Sequence, residues 1–180
     1  KGTVKTSDEI ERLIKDANNS DACCGVVTWM HTFSPSKMWI NGLALLQKPW
    51  CHFATQYSRE IPDTEIDMDF MNLNQSAHGD REHGFIGARM RLPRKVIMGY
   101  WQDEEILAEL GHWMRSAIGY KESKQLRVVR FGDNMRDVAV TEGDKVEVQI
   151  KLGWQVNTWP VGELAETMQA VTESEIDALV

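Results

Sequence analysis

Short, almost uninterrupted apolar runs alternate along this chain with segments whose apolar residues recur every three or four positions. The runs at 22–30, 50–55 and 95–101 have the continuous apolar character of strands that are covered on both faces. The segment 103–118 is the clearest of the helical ones, with its apolar side chains on one face. Strands and helices that alternate at this spacing favour parallel strands joined by crossover helices. We therefore predict an α/β fold, an open parallel sheet with helices on both faces in the three-layer manner of Rossmann or flavodoxin-like proteins.

Capping residues and prolines predict where the elements begin and end. Ser7 is expected to cap a first helix that stops at Asn18-Asn19, and a second helix is expected between Pro35 and Pro49. The remaining expectations are a polar loop over 57–66, two helical stretches over 67–91 broken near Ser76-Ala77, a helix capped by Asp103, a charged linker over 120–125, a strand over 126–131, a helix near 143–152, a strand near 155–159, and helices from 161 onward.

The charged stretch near 121–126 is the best candidate for a change of domain. We predict an N-terminal α/β domain over 1–125 and the beginning of a second α/β domain over 126–180. The chain begins at Lys1 without an initiator methionine and stops at Val180 inside a helical pattern. Both ends lead us to expect a fragment of a longer protein, which need not contain its own active site.

Charge and hydropathy restrict the partners. The 180 residues include 20 Lys+Arg and 27 Asp+Glu, a formal net charge of -7, and the basic residues are dispersed. A nucleic-acid partner requires a clustered basic face, so we expect none. No apolar run approaches the roughly 18 residues that a membrane-spanning helix needs, so we expect no membrane partner.

The cysteines indicate the compartment. Cys23, Cys24 and Cys51 form an odd set without a C-x-x-C pair, which argues against both a disulfide framework and a metal site. We expect them to be small buried residues of a cytoplasmic protein.

Ligands of an open parallel sheet bind beyond the carboxyl ends of its strands. The predicted strands deliver polar residues there at 31–34, 56–57 and 132–135, without a G-x-G-x-x-G or P-loop motif, so a nucleotide enzyme is not expected. Asp67 and Asp69 resemble the start of a calcium loop, but the sixth position lacks glycine and the twelfth lacks glutamate. We interpret Asp67 as a helix cap instead.

The histidines have several possible roles. His78 and His83 are five residues apart, a poor spacing for two zinc ligands on one helix, and we expect a solvated helix start there. Gln75 and His78 flank the predicted helix break and are placed to face a pocket. His31 and His52 are expected to be hydrogen-bonded core residues. Of the acidic residues, Asp133 and Asp137 are the least easily assigned to a solvated helix face.

Three segments resemble the L-arabinose isomerases: HTFSPSKMW at 31–39, DMDFMNLNQSAHGDRE at 67–82 and RFGDNMR at 130–136. GFIGAR at 84–89 and VNTW at 156–159 extend the resemblance, which covers essentially the whole chain. It implies most of the N-terminal domain, without its first strand region, followed by the start of the central domain.

The family interconverts L-arabinose and L-ribulose, and also D-galactose and D-tagatose, by moving a proton between C1 and C2 through an enediol with the help of Mn²⁺. The resemblance implies that the metal ligands and catalytic acids lie downstream of Val180, so no catalytic or metal-binding residue is expected here. It implies sugar contacts from Gln75 and His78, offered to a neighbouring subunit, and from Met135. It also implies a homo-oligomer, a hexamer in this family.

Two other classes of function remain open from the residues alone. One is a free-standing, non-catalytic sugar-binding or regulatory α/β module, and the other is an interaction domain. Seven Trp and nine Met leave room for an apolar contact surface in either case, although most of them are expected to fill the core.

Overall fold

The computed structural model describes residues 2–64 and 66–179, so the predicted loop over 57–66 is described except at position 65. In chain order its elements are α1 Ser7–Asn19, β1 Val26–Thr28, a 3-10 helix Ser36–Trp39, α2 Ile40–Leu45, β2 Trp50–Ala54, α3 Met68–Leu73, α4 Ser76–Arg89, β3 Lys95–Met98, α5 Glu104–Ser123, β4 Arg127–Phe131, a 3-10 helix Ala139–Thr141, α6 Lys145–Leu152, β5 Gln155–Trp159, α7 Val161–Ala170 and α8 Glu173–Asp177. The chain forms two compact units, Lys1–Ile118 and Gly119–Val180.

The first unit is built on a parallel sheet in the order β1-β2-β3. The central strand β2 is buried along its whole length, as its continuous apolar sequence predicts. Its side chains alternate between the two faces of the sheet. Trp50 packs in a cluster with Ile10, Ile14 and Leu43 of the helices α1 and α2.

The opposite face of the sheet is covered by α5. Cys51 and Phe53 of β2 and Ile97 of β3 form a second cluster, against which Ile106 and Leu110 of α5 pack. The predicted open parallel sheet with helices on both faces is confirmed.

The start of α1 differs from the prediction by one residue. Thr6, and not Ser7, is the N-cap: its hydroxyl accepts a hydrogen bond from the backbone N–H of Glu9, whose carboxylate in turn accepts from the backbone N–H of Thr6. This is a capping box, which satisfies two backbone donors at once. Ser7 is already inside the helix, so the prediction of a Ser7 cap was wrong.

The first strand and the linker after α5 were both predicted to be longer than they are. The apolar run at 22–30 contributes only Val26–Thr28 to the sheet, since pairing with β2 begins at Val26. The predicted linker over 120–125 is helical as far as Ser123, because α5 continues through it. Charged residues solvate an exposed helix as readily as a loop, so their presence did not mark the helix end.

The second unit contains the parallel pair β4–β5, with five residues in register from Arg127 and Gln155 onward. The helix α6 precedes β5 and ends at Gly153, whose φ of 79° lies in the left-handed region that terminates helices. The helices α7 and α8 follow β5. The predicted start of a second α/β domain has this strand and helix content.

Within the part of the chain that the structure describes, no helix is both long and apolar enough to cross a membrane. The three cysteines are unpaired thiols. Cys51 is buried, as expected, and burial raises the pKa of its thiol to about 11. Cys23 and Cys24 are only partly buried, which corrects the expectation for those two.

Candidate functional site

The first turns of α4 lie beside the segments that follow β1 and β2. The short helix α3 precedes them and is capped by Asp67, whose Oδ1 accepts from the backbone N–H of Phe70 at 2.8 Å. The interpretation of Asp67 as a helix cap is confirmed. The break between the two helices falls at Asn74 and Gln75, two residues before the predicted Ser76-Ala77, and Gln75 is the N-cap residue of α4.

Polar contacts and a close backbone approach fix the start of α4 on the rest of the unit. The Oγ of Ser76 lies 2.6 Å from the carbonyl oxygen of Thr55 and 2.9 Å from Oε1 of Gln56, immediately after β2. A Cβ atom at Gly79 would lie 2.7 Å from the carbonyl oxygen of Thr32, after β1. Only glycine permits this approach without movement of the backbone.

His78 is exposed at this helix start. Its imidazole stacks on the ring of Phe33, with ring centroids 4.7 Å apart and an interplanar angle of 20°. With Arg81, Glu82 and Phe85, one and two turns further along the same helix face, His78 lines an open depression in the surface. Phe85 is 61% exposed, so the depression combines an aromatic wall with charged and hydrogen-bonding groups.

A chain of buried hydrogen bonds lies under this helix start. Thr28 of β1 and His52 of β2 are register partners, and Thr28 Oγ1 lies 2.9 Å from Nδ1 of His52 and 3.2 Å from Nε2 of His83. The indole Nε1–H of Trp50 donates to the same hydroxyl at 2.9 Å. His52 Nε2 lies 2.9 Å from Oδ1 of Asp80. These hydrogen bonds therefore join β1 and β2 to two residues of α4, Asp80 and His83.

His83 is fully buried among aromatic rings. The rings of Trp39 and Trp50 meet its imidazole edge to face at 5.0 and 5.3 Å. Burial, and to a smaller extent repulsion from Arg94 and from His52 whenever that imidazole is protonated, lower the pKa of His83 to about 3. His83 is therefore a neutral imidazole at physiological pH.

These positions correct two expectations about the histidines. The helix start at Ser76 places His83 two turns into α4 and in the core, so it does not belong to a solvated helix start. His31 is exposed and is not a core residue. The expectation for His52, a hydrogen-bonded core histidine, is confirmed.

Met135 lies in the second unit, in the segment between β4 and α6. Its side chain is 64% exposed, and its backbone N–H donates to Oγ1 of Thr141 at 3.0 Å. Asp133 lies 3.7 Å from both Arg130 and Lys145 and is largely exposed, so it is a solvated ion-pair partner. Gln75 and His78 lie together at one helix start in the first unit, whereas Met135 belongs to the second unit.

No role was predicted for Thr28, and the contacts of Phe33 with His78 and of Asp80 with His52 were not predicted. The alternation of β2 could have placed His52 on the same face as Trp50, and parallel pairing could then have placed Thr28 beside it. Nothing in the sequence pattern indicated that Asp80 would face His52.

Among residues 2–64 and 66–179, no group of three or more His, Cys, Asp or Glu side chains is arranged to hold a metal ion. The first unit is a parallel α/β unit with aromatic and hydrogen-bonding groups gathered beyond two strand ends, the arrangement of α/β proteins that bind small molecules.

Comparison with known proteins gives the family. The family model of the L-arabinose isomerase N-terminal domain matches residues 1–125, and that of the L-arabinose isomerase central domain matches residues 127–180. This chain belongs to the L-arabinose isomerase family.

Three relatives show the extent of the similarity. The L-arabinose isomerases of Thermotoga neapolitana, Anoxybacillus flavithermus and Geobacillus stearothermophilus are 60%, 58% and 57% identical to this chain over all 180 of its residues. Those 180 residues are 36% of each relative, so the chain spans about a third of the length of the curated relatives it matches.

Proposed function

We propose that this chain is the N-terminal part of an L-arabinose isomerase, an enzyme that interconverts L-arabinose and L-ribulose. The observation that carries the proposal is the similarity of the whole chain, at 57–60% identity to the three relatives above, to proteins of that name, with the N-terminal and central domain matches in order. We propose the domain division at residues 125 and 126 on the same ground.

In this proposal the start of α4 contributes side chains to the sugar pocket of a neighbouring subunit. Gln75 makes no capping hydrogen bond, so its amide is available to donate to and accept from sugar hydroxyls. The imidazole of His78 is exposed and is held in one orientation by the ring of Phe33. A preoriented hydrogen-bonding group loses less conformational entropy when a ligand binds.

Met135 would supply an apolar wall of the pocket. Its side chain is exposed, and the hydrogen bond from its backbone N–H to Thr141 supports the loop that carries it. An apolar contact of this kind excludes water from the nonpolar face of a sugar without forming a hydrogen bond itself.

We propose that proton transfer and metal binding are performed by residues outside this chain. Mn²⁺, where the remainder of the protein holds it, would polarise the sugar oxygens. The residues of this chain would bind and orient the sugar. D-galactose, the hexose isomerised to D-tagatose, is proposed as a second substrate, on the family resemblance alone.

The assembly and compartment are proposed on similar grounds. A homo-oligomer, a hexamer in the family, is supported by exposed aromatic and methionine side chains in the first unit such as Trp29, Tyr57 and Met68. A cytoplasmic location is supported by the three unpaired thiols.

A chimera tests the proposal. The matching segment of the Thermotoga neapolitana enzyme is replaced by these 180 residues, and ketose formation from L-arabinose is measured with Mn²⁺. We expect activity from the chimera and none from the 180-residue chain alone. A folded chimera without activity, or turnover by the chain alone, would contradict the proposal.

A substitution in the active chimera tests the site. His78→Ala should raise KM or lower kcat while Mn²⁺ affinity is unchanged. His112→Ala, which removes an exposed imidazole from α5, is the matched control and should leave KM unchanged. A change in Mn²⁺ affinity would make His78 a metal ligand instead of a sugar contact.

A further inference from the structure

The hydrogen bonds under α4 have one proton arrangement in which every N–H and O–H donor has an acceptor. The carboxylate of Asp80 can only accept, so the facing nitrogen of His52, Nε2, carries a proton. In the matching tautomer the other nitrogen of His52, Nδ1, is an acceptor, and the hydroxyl of Thr28 donates to it. The two acceptor positions of that hydroxyl are taken by Trp50 Nε1–H and His83 Nε2–H.

The alternative arrangement leaves a buried donor without a partner. If both nitrogens of His52 carried protons, the hydroxyl of Thr28 would have to donate to Nε2 of His83, whose own proton would move to Nδ1. That Nδ1 atom is buried and has no hydrogen-bond partner among the described residues. Buried N–H groups without an acceptor are rarer in proteins than buried acceptors without a donor, which favours the first arrangement. Asp80 therefore determines the tautomers of both histidines.

The same bonds fix the rotation of α4 about its axis. Asp80 and His83 are three residues apart and lie on the helix face toward the sheet, where they meet β2 and β1. Ser76 and Gly79 fix the position of the helix start through contacts with Thr55 and Thr32, and they do not contact β1 or β2 themselves. His78 lies two residues before Asp80, so a small rotation of the helix displaces its ring.

We propose that Asp80 is a positioning residue for sugar binding: through His52 it holds the first turns of α4 at the rotation that presents His78 and Gln75. The inference rests on the proposed function. Without the carboxylate, the Nε2–H of His52 loses its acceptor, so the ring is hydrogen-bonded only through Nδ1 and the orientation of the Thr28 hydroxyl is less restricted. The anchors at Ser76 and Gly79 remain, so the helix stays folded while its rotation is less restricted.

The proton arrangement is tested first in the 180-residue chain. Nitrogen-15 NMR of the imidazoles should show that the rings of both His52 and His83 carry a proton on Nε2 and none on Nδ1. The groups that face these rings are Asp80, Arg94 and each other, so no further charge is expected to change the tautomers. A proton on Nδ1 of either ring would overturn the proposed network.

The positioning role is tested in the active chimera. Asp80→Ala should raise KM for L-arabinose roughly tenfold with a much smaller change in kcat, because it misplaces a binding group and leaves the proton-transfer residues in place. Asp80→Asn keeps an oxygen that accepts from His52 and should restore KM to within about twofold of the unsubstituted value. Asp16→Ala, which removes an exposed carboxylate from α1, should leave KM unchanged.

A purely structural role predicts a different result. Loss of folded enzyme would lower kcat in proportion to the active fraction and leave KM unchanged, and that outcome would overturn the proposal. An unchanged KM for Asp80→Ala in an active chimera overturns this inference alone, whereas an inactive unsubstituted chimera overturns the proposed function as well.

Discussion

The imidazole ring of His78 lies nearly parallel to the phenyl ring of Phe33, with their centroids 4.7 Å apart. Phe33 belongs to the segment after β1, and His78 belongs to the first turn of α4. The stack therefore joins two elements that are far apart in sequence at the site proposed to contact sugar. Parallel aromatic rings of this kind contribute about 0.5–1.5 kcal/mol beyond their buried area.

Loss of the stack should weaken sugar binding. In the chimera, Phe33→Leu keeps an apolar side chain but removes the ring that orients His78, and we expect KM for L-arabinose to rise about two- to tenfold. Phe33→Tyr keeps the ring and should leave KM nearly unchanged. Equal KM values for the two variants would show that ring stacking does not orient His78.

Two glycines of α4 should respond oppositely to alanine. At Gly79 a Cβ atom would meet the Thr32 carbonyl oxygen at 2.7 Å, so Gly79→Ala should lower the free energy of unfolding by about 1–3 kcal/mol. At Gly84 a Cβ atom has no heavy atom within 4 Å, so Gly84→Ala should raise it by about 0.5–1 kcal/mol through helix propensity. Urea unfolding of the 180-residue chain measures both. Stabilisation by Gly79→Ala would contradict the close backbone contact.

The buried His83 should make stability depend on pH. Its pKa is about 3 in the folded chain and 6.5 for an ordinary histidine, so between these values the unfolded chain binds a proton that the folded chain does not. The free energy of unfolding should therefore fall as the pH is lowered from 6.5, with a contribution of at most about 1.4 kcal/mol per pH unit from this residue.

Urea unfolding at several pH values between 4 and 8 measures this dependence. His83→Gln removes the titrating group, so its stability should be lower than that of the unsubstituted chain at pH 7 and should decline less steeply below 6.5. His112→Gln, at an exposed position, should keep the steeper dependence. Parallel curves for the His83→Gln variant and the unsubstituted chain would contradict a depressed pKa.

The capping box of α1 makes a further prediction. Thr6→Ala removes the hydroxyl that accepts from the backbone N–H of Glu9, and the free energy of unfolding should fall by about 1 kcal/mol. Ser7→Ala, one position further on, is the matched control and should change stability by less than about 0.5 kcal/mol. A larger loss at Ser7 would identify it as the cap.

The difference between Thr6 and Ser7 illustrates what the sequence could predict of the fold. Both residues are favourable caps. A capping box requires Glu three residues after the cap, and Glu9 has this spacing from Thr6 but is only two residues after Ser7. The parallel sheet with helices on both faces could be predicted from the continuous apolar runs of the strands and from their regular alternation with helical segments. The end of β1 depended on where β2 pairs with it, which is a tertiary property.

The candidate site was predictable only in part. The break at Gln75 and the polar residues after the strands could be read from local pattern, and the resemblance to a family added Gln75, His78 and Met135. The contacts of His83 could not be found in this way, because they depend on register between β1 and β2 and on the rotation of α4. The same rotation brings Asp80 to His52.

The hydroxyl of Thr28 has one proton to give and two lone pairs to share, and all three are in use. An exchange of Thr28, Trp50, His52 or His83 for an apolar residue consequently leaves at least one neighbour without its counterpart. Substitutions at these four positions should therefore be correlated among homologous sequences, so that the residues change together and seldom singly.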